Sequence, residues 1–215
     1  MTSKYRAFFD REYDLTWQFF RKRLLIPFIV MYVLAIVITA VSILIFTYYP
    51  DTADEMVNAF ARKAQGMTST DGNVIMPLLL LNNLYASGIS VFAGFIPFIF
   101  APFISLMANA LIMGAMFSFM GRQGYELGKL FAAGILPHGI FEITALVLSL
   151  SAGVYLCYTV SRVIISRRLR KRAGHVLEWA MNGVVRVYLC YVVPLMCIAA
   201  LIECYVTPEI LKYAM

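Results

Sequence analysis

The chain has 215 residues, of which 61% are apolar and only 14% charged, with a formal net charge of +6 and mean hydropathy of +0.78. Soluble domains carry roughly 45–50% apolar and about 25% charged residues, so a soluble fold of this composition would leave too much apolar surface facing water. An aromatic content of 14% excludes a disordered chain. At roughly 20 apolar residues per span, the chain has room for about five spans and no separate catalytic domain. The composition predicts an all-α, polytopic transmembrane bundle with a broken segment before the fourth span and short interfacial helices.

Residues 1–23 predict a cytoplasmic interfacial helix. Tyr5, Phe8, Phe9, Tyr13, Trp17 and Phe20 recur at helical spacing, with Arg6, Asp10, Arg11 and Asp14 elsewhere around it. A partner-binding helix is the alternative. Residues 24–49 carry no charge and form the first span, a run too long and too far from the N-terminus for a cleaved signal peptide. Residues 50–73 predict an outer loop with a short helix, capped by Thr52 with Glu55 three residues on. Met56, Val57, Phe60, Ala61 and Ala64 lie on one stripe of it, and a flexible stretch from Gly66 to Gly72 follows. This outer helix is the best docking surface for an extracytoplasmic partner, although such a helix also serves simply to cap a bundle.

Residues 74–120 are uncharged throughout and predict two spans around a turn at 95–102, where Pro97 and Pro102 disfavour a continuous helix. After a short polar loop, an entry segment runs to Leu136 and a fourth span starts at about Pro137 and ends near 160. Residues 161–186 are a basic cytoplasmic segment, 187–206 the last span and 207–215 an outer tail.

Segments 1–23 and 162–186 hold 13 of the 18 Lys and Arg. That bias places the protein in the plasma membrane as a multi-pass protein with its N-terminus in the cytoplasm. The net charge therefore records topology and implies no nucleic acid. Its expected partner is the anionic cytoplasmic leaflet, through Arg167, Arg168, Arg170, Lys171 and Arg172; acidic protein partners are the alternative. His175 and Glu178 are close enough to pair there, or form part of a solvated face. Cys157, Cys190, Cys197 and Cys204 contain no Cys-x-x-Cys pair, so neither a metal site nor a redox motif is expected. The seven-residue spacing of the last three predicts close helix packing, with lipidation or metal capture as alternatives.

Ionisable groups inside spans are costly and each is a functional hypothesis. Here they are His138, Glu142 and Glu203, joined by the amides Asn82, Asn83 and Asn109. His138 and Glu142, four apart, share one helix face. Asn82, Asn83, His138, Glu142 and Glu203 fall at one depth, in the outer half of the membrane, and are placed to converge. Asn109 lies deeper and is expected to tie two helices together. One reading is a satisfied polar cluster that fixes helix register. Another is a proton relay or an ion or solute path. A catalytic dyad is the third, but a His-x-x-x-Glu pair lacks the third ligand of a catalytic zinc and has no Ser or Cys nucleophile beside it. No cofactor or metal is expected. Gly88, Gly94, Gly114, Gly134, Gly139 and Gly153 predict close helix approach.

The run Asn82-Asn83, then Gly88 and Gly94, Asn109 with Gly114, and Leu136-Pro137-His138-Gly139-Ile140-Phe141-Glu142 resembles the stage II sporulation protein M family, over about residues 74–160. The resemblance implies a multispanning membrane protein without catalytic activity of its own. In spore formers the namesake anchors two peptidoglycan-degrading proteins at the septal membrane during engulfment, and relatives occur in bacteria and archaea that do not sporulate. The aromatic N-terminal segment and the basic 162–172 run have no match in the family. The expected function is a scaffold that anchors or localises envelope-remodelling partners. A transporter or channel component using His138 and Glu142 is the alternative, and an intramembrane enzyme the third reading.

Overall fold

The computed structural model describes residues 2–68 and 74–214, and they are almost entirely helical. Helix α1 (Thr2–Phe19) runs through a π-helical turn at Phe20–Leu24 into α2 (Leu25–Tyr48). The expected interfacial helix and first span are thus one unbroken rod. Phe8, Phe9, Tyr13 and Trp17 are exposed on α1, whereas Thr16 and Phe19 are buried.

Helix α3 (Pro50–Gln65) starts at Pro50, with Tyr49 as an N-cap that makes no side-chain bond. The expected Thr52 cap is not formed: the fixed φ of proline begins the helix two residues earlier. Ala53 is buried against Phe46 and Ala115, with Met56 and Val57 beside it, while Phe60 is exposed. Arg122 clamps this helix. It pairs with Asp54, donates to Ser118 Oγ at 2.8 Å, and reaches the carbonyls of Phe46 and Pro50, each at 3.4 Å. Residues 69–73 of the expected flexible stretch lie outside the described residues. Around them the Ile75 N–H donates to the Met67 carbonyl at 2.8 Å.

Helix α4 (Met76–Phe92) ends in a single 3₁₀ turn at Ala93–Phe95, and α5 (Ala101–Arg122) follows. The reversal falls where Pro97 and Pro102 predict it. Phe98 and Phe100 take left-handed backbone conformations, φ 66° and 48°, which bulky residues adopt only when the surroundings impose them. The fourth span supplies those restraints: the Phe98 N–H donates to Ser161 Oγ at 2.9 Å, and Cys157 Sγ donates to the Ile96 carbonyl at 3.2 Å.

Helix α6 (Leu127–Lys129) passes through a π turn at Leu130–Ile135 into α7 (Leu136–Ile165). The expected entry segment is therefore helical and continuous with the fourth span. After the four-residue α8 (Arg167–Arg170), helices α9 (Ala173–Val187), α10 (Val193–Leu201) and α11 (Thr207–Ala214) are joined by π turns at Tyr188–Val192 and Ile202–Val206. Much of the basic segment, the last span and the outer tail are one helical rod. Five helical stretches are long and apolar enough to cross a membrane: Arg6–Tyr48, Met76–Phe95, Ala101–Arg122, Leu127–Ile165 and Ala173–Tyr213.

The eight prolines account for much of this design. Pro50, Pro77 and Pro102 sit at helix starts, where the missing N–H is harmless, and Pro97 lies in the reversal. Pro27, Pro137, Pro194 and Pro208 each follow a π turn within three residues. A proline inside a helix cannot donate to the carbonyl four residues back and its ring crowds that group. Widening the preceding turn by one residue relieves the crowding, so the helix continues where sequence rules predict a break.

Helix α7 is the centre of the bundle. Its buried side includes Ser149, Ser151, Ala152 and Gly153, small residues that let neighbouring backbones approach. The hydroxyls of Ser149 and Ser151 bond to carbonyls four residues back, at 3.0 and 2.6 Å, and so cost the interior little. The closest approach is at Gly94 and Gly153: a Cβ on Gly94 would lie 2.8 Å from Gly153 Cα, and one on Gly153 would lie 2.7 Å from Pro102 Cγ. Gly114 faces Ser42 in the same way, whereas Gly88, Gly134 and Gly139 have more room. The expected packing stripe is uneven: Cys190 is exposed and Cys197 and Cys204 are half-buried, whereas Cys157, outside that stripe, is buried. The outer face of α2, with Ile26, Ile36 and Leu44 exposed, has the apolar surface a lipid-facing helix requires.

Candidate functional site: an intramembrane polar centre

Two of the proline-linked π turns place the polar side chains. The turn at Leu130–Ile135 precedes Pro137 and delivers His138 and Glu142 on the first turns of α7. The turn at Ile202–Val206 contains Glu203 and hands the chain to Thr207 at the start of α11. Helix α4, packed beside α7 and α10, contributes Asn82 and Asn83. Leu211 of α11 packs over Gly134, 3.4 Å from where a Cβ would stand, and holds the two π turns together.

The resulting bonds run between helices. Asn83 Nδ2 donates to Glu142 Oε1 at 3.0 Å, and Asn82 Nδ2 donates to Asn83 Oδ1 at 3.2 Å. His138 Nδ1 shares a hydrogen bond with Thr207 Oγ1 at 3.1 Å. His138, Glu142 and Glu203 each bring one ring nitrogen or carboxylate oxygen within 4.8 Å of the other two, and all three are half-buried. Two carboxyl groups this close inside a bilayer repel unless a proton or a cation lies between them. The donor set, one imidazole and two carboxylates, suits either.

Five of the six polar residues singled out in the sequence, Asn82, Asn83, His138, Glu142 and Glu203, meet here. Asn109 does not. It is exposed on α5 and donates to the carbonyl of Ser105 in its own helix at 2.8 Å, and among the described residues it bonds to no other helix. Glu203 stands within reach of the His-x-x-x-Glu pair as a third potential ligand, a neighbour that spacing along α7 cannot reveal. Thr207 was not singled out; a hydroxyl directly before Pro208, at the depth of His138, is the signal that could have found it.

The fold and this centre define a multi-pass α-helical membrane protein whose polar side chains are gathered between three of its spans. The family model for stage II sporulation protein M matches residues 24–208. The chain belongs to that family, and the match reaches well beyond residues 74–160. An uncharacterized protein of Methanocaldococcus jannaschii is 35% identical over 137 residues, which cover 64% of this chain and 73% of that protein. No solved structure matches.

Proposed function

We propose that this protein is a non-enzymatic scaffold of the plasma membrane, with its N-terminus in the cytoplasm, that localises envelope-remodelling partners through α3. One observation carries this reading: Asn83, Glu142, His138 and Thr207 direct their hydrogen bonds at one another across three helical rods. Bonds of that kind lock helix register. The clamp by Arg122 gives α3 a fixed seat, with Glu55, Phe60, Arg62 and Lys63 on its exposed side. Arg167, Arg168, Arg170, Lys171 and Arg172 then hold the opposite end against the anionic leaflet.

A second reading, a component that moves protons or cations, is favoured by the convergence of His138, Glu142 and Glu203 within 4.8 Å. The double variant His138→Ala/Glu142→Ala separates the two. The scaffold reading expects a clear loss of thermal stability in detergent and no change in proton or cation flux into proteoliposomes. A variant as stable as the native protein that has lost a measurable flux would establish transport instead.

A further inference from the structure

At the end of the bundle that bears the basic segment, a cavity of about 330 Å³ opens between α7, α9 and the π turn at Phe20–Leu24 of the first rod. Arg23, Arg162 and His175 line it, together with Tyr155, Tyr158 and Trp179. The two guanidinium groups are held by aromatic faces: Arg23 lies 5.2 Å from the centre of the Trp179 ring, and Arg162 lies 5.5 Å from that of Tyr158. Arg162 also donates to the Tyr158 hydroxyl at 3.3 Å; contact of this kind with a ring leaves further N–H groups of each guanidinium for an anion. Among the described residues, neither arginine nor His175 takes part in an ion pair. Other arginines, Arg122 and Arg186, have found carboxylates. Two fixed and uncompensated cations therefore face one cavity.

A second cavity of about 320 Å³ shares Arg23, Tyr155 and Tyr158 with the first. Its remaining walls are Lys22, Pro27, Phe100 and Val154. Pro27 and Val154 belong to helices long and apolar enough to cross a membrane, and with Phe100 they give this second cavity an apolar wall beside Lys22 and Arg23. A charged pocket and an adjoining cavity with an apolar wall match the two ends of a phospholipid. A soluble phosphate would use only the first.

We infer that the paired cavities form a binding site for one acidic phospholipid, its phosphate between Arg23 and Arg162 and an acyl chain beside Pro27, Phe100 and Val154. This is a discrete site, distinct from general attraction of the leaflet by the Arg167–Arg172 run. The test is native mass spectrometry of the full chain in detergent, titrated with phosphatidylglycerol, with phosphatidylcholine as the zwitterionic control. A saturable one-to-one adduct with phosphatidylglycerol is expected, at least ten-fold stronger than with phosphatidylcholine. Arg23→Gln/Arg162→Gln is expected to weaken it ten-fold or more, and Arg168→Gln/Arg170→Gln less than two-fold. Arg162→Gln alone, at an exposed helix end, gives the same direction should the double variant fail to fold. Equal losses in the two double variants, or no loss from Arg162→Gln, would overturn the site. Displacement of the adduct by millimolar inorganic phosphate would assign the pocket to a soluble phosphate and overturn the lipid.

Discussion

Gly153→Ala is expected to lower the midpoint of thermal unfolding in detergent by roughly 6–12 °C, from an overpacking cost of about 3 kcal/mol. The new methyl group would meet the Ser90 carbonyl and Pro102 Cγ, and neither can step aside. Ser90 Oγ is bonded to the Ala86 carbonyl and to Ser105 Oγ, at 2.9 and 3.1 Å, and Pro102 is rigid and fully buried at the start of α5. The methyl group must therefore part α7 from α4 and α5 together. Gly94→Ala meets the backbone of Gly153 from the other side and is expected to cost as much. Gly174→Ala is the control. Nothing lies within 4 Å of its Cβ position, and alanine is the better helix former. A melting curve for Gly153→Ala that overlays that of Gly174→Ala would rule out the close approach of α4 and α7.

The second large effect is expected at Glu142, where the result depends on which atom is removed. Glu142→Gln keeps an oxygen to accept from Asn83 and is expected to change stability by less than about 1 kcal/mol. Glu142→Ala strands the Asn83 amide in the interior, with an expected cost of about 1–3 kcal/mol. Asn83→Ala costs a similar amount alone, but the pair of alanines is expected to cost less than the sum, with a coupling of about 1 kcal/mol. A double-mutant cycle in detergent measures this. Strict additivity would mean that the bond between α4 and α7 contributes nothing.

The contrast between these sites shows what was legible in the sequence. The composition and the uncharged runs sufficed for an all-α bundle of five spans, because in a bilayer the backbone has few ways to satisfy itself. The turn at 95–102 was legible because its prolines act locally. The continuity of the rods was not. At Pro137 the same rules predict an interruption, but a π turn absorbs the proline and the helix goes on. Whether a proline breaks or merely widens a helix depends on packing against neighbours, such as Leu211 on Gly134, and that information is not local. The polar centre divides in the same way. His138 and Glu142 were legible as a pair through their spacing on one helix, and Glu203 through its cost in a span. The bond from Asn83 and that to Thr207 depend on residues 59 and 69 positions away. Asn109 shows the opposite failure: its type and depth suggested a bond between helices, and its own turn satisfies it instead.

If the protein acts by presenting α3, a photoreactive residue at position 60 should find a protein. Phe60 lies on the exposed part of that helix, beyond the residues that pack on Phe46 and Ala115. Position 36, on the exposed apolar face of α2, serves as the lipid-facing comparison. Irradiation of cells is expected to give a discrete adduct with an envelope protein from position 60 and none from position 36. Its yield should fall when Arg122→Ala releases the helix from its clamp. Adducts with lipid alone at position 60, or the same protein adduct from both positions, would contradict a scaffold that works through α3.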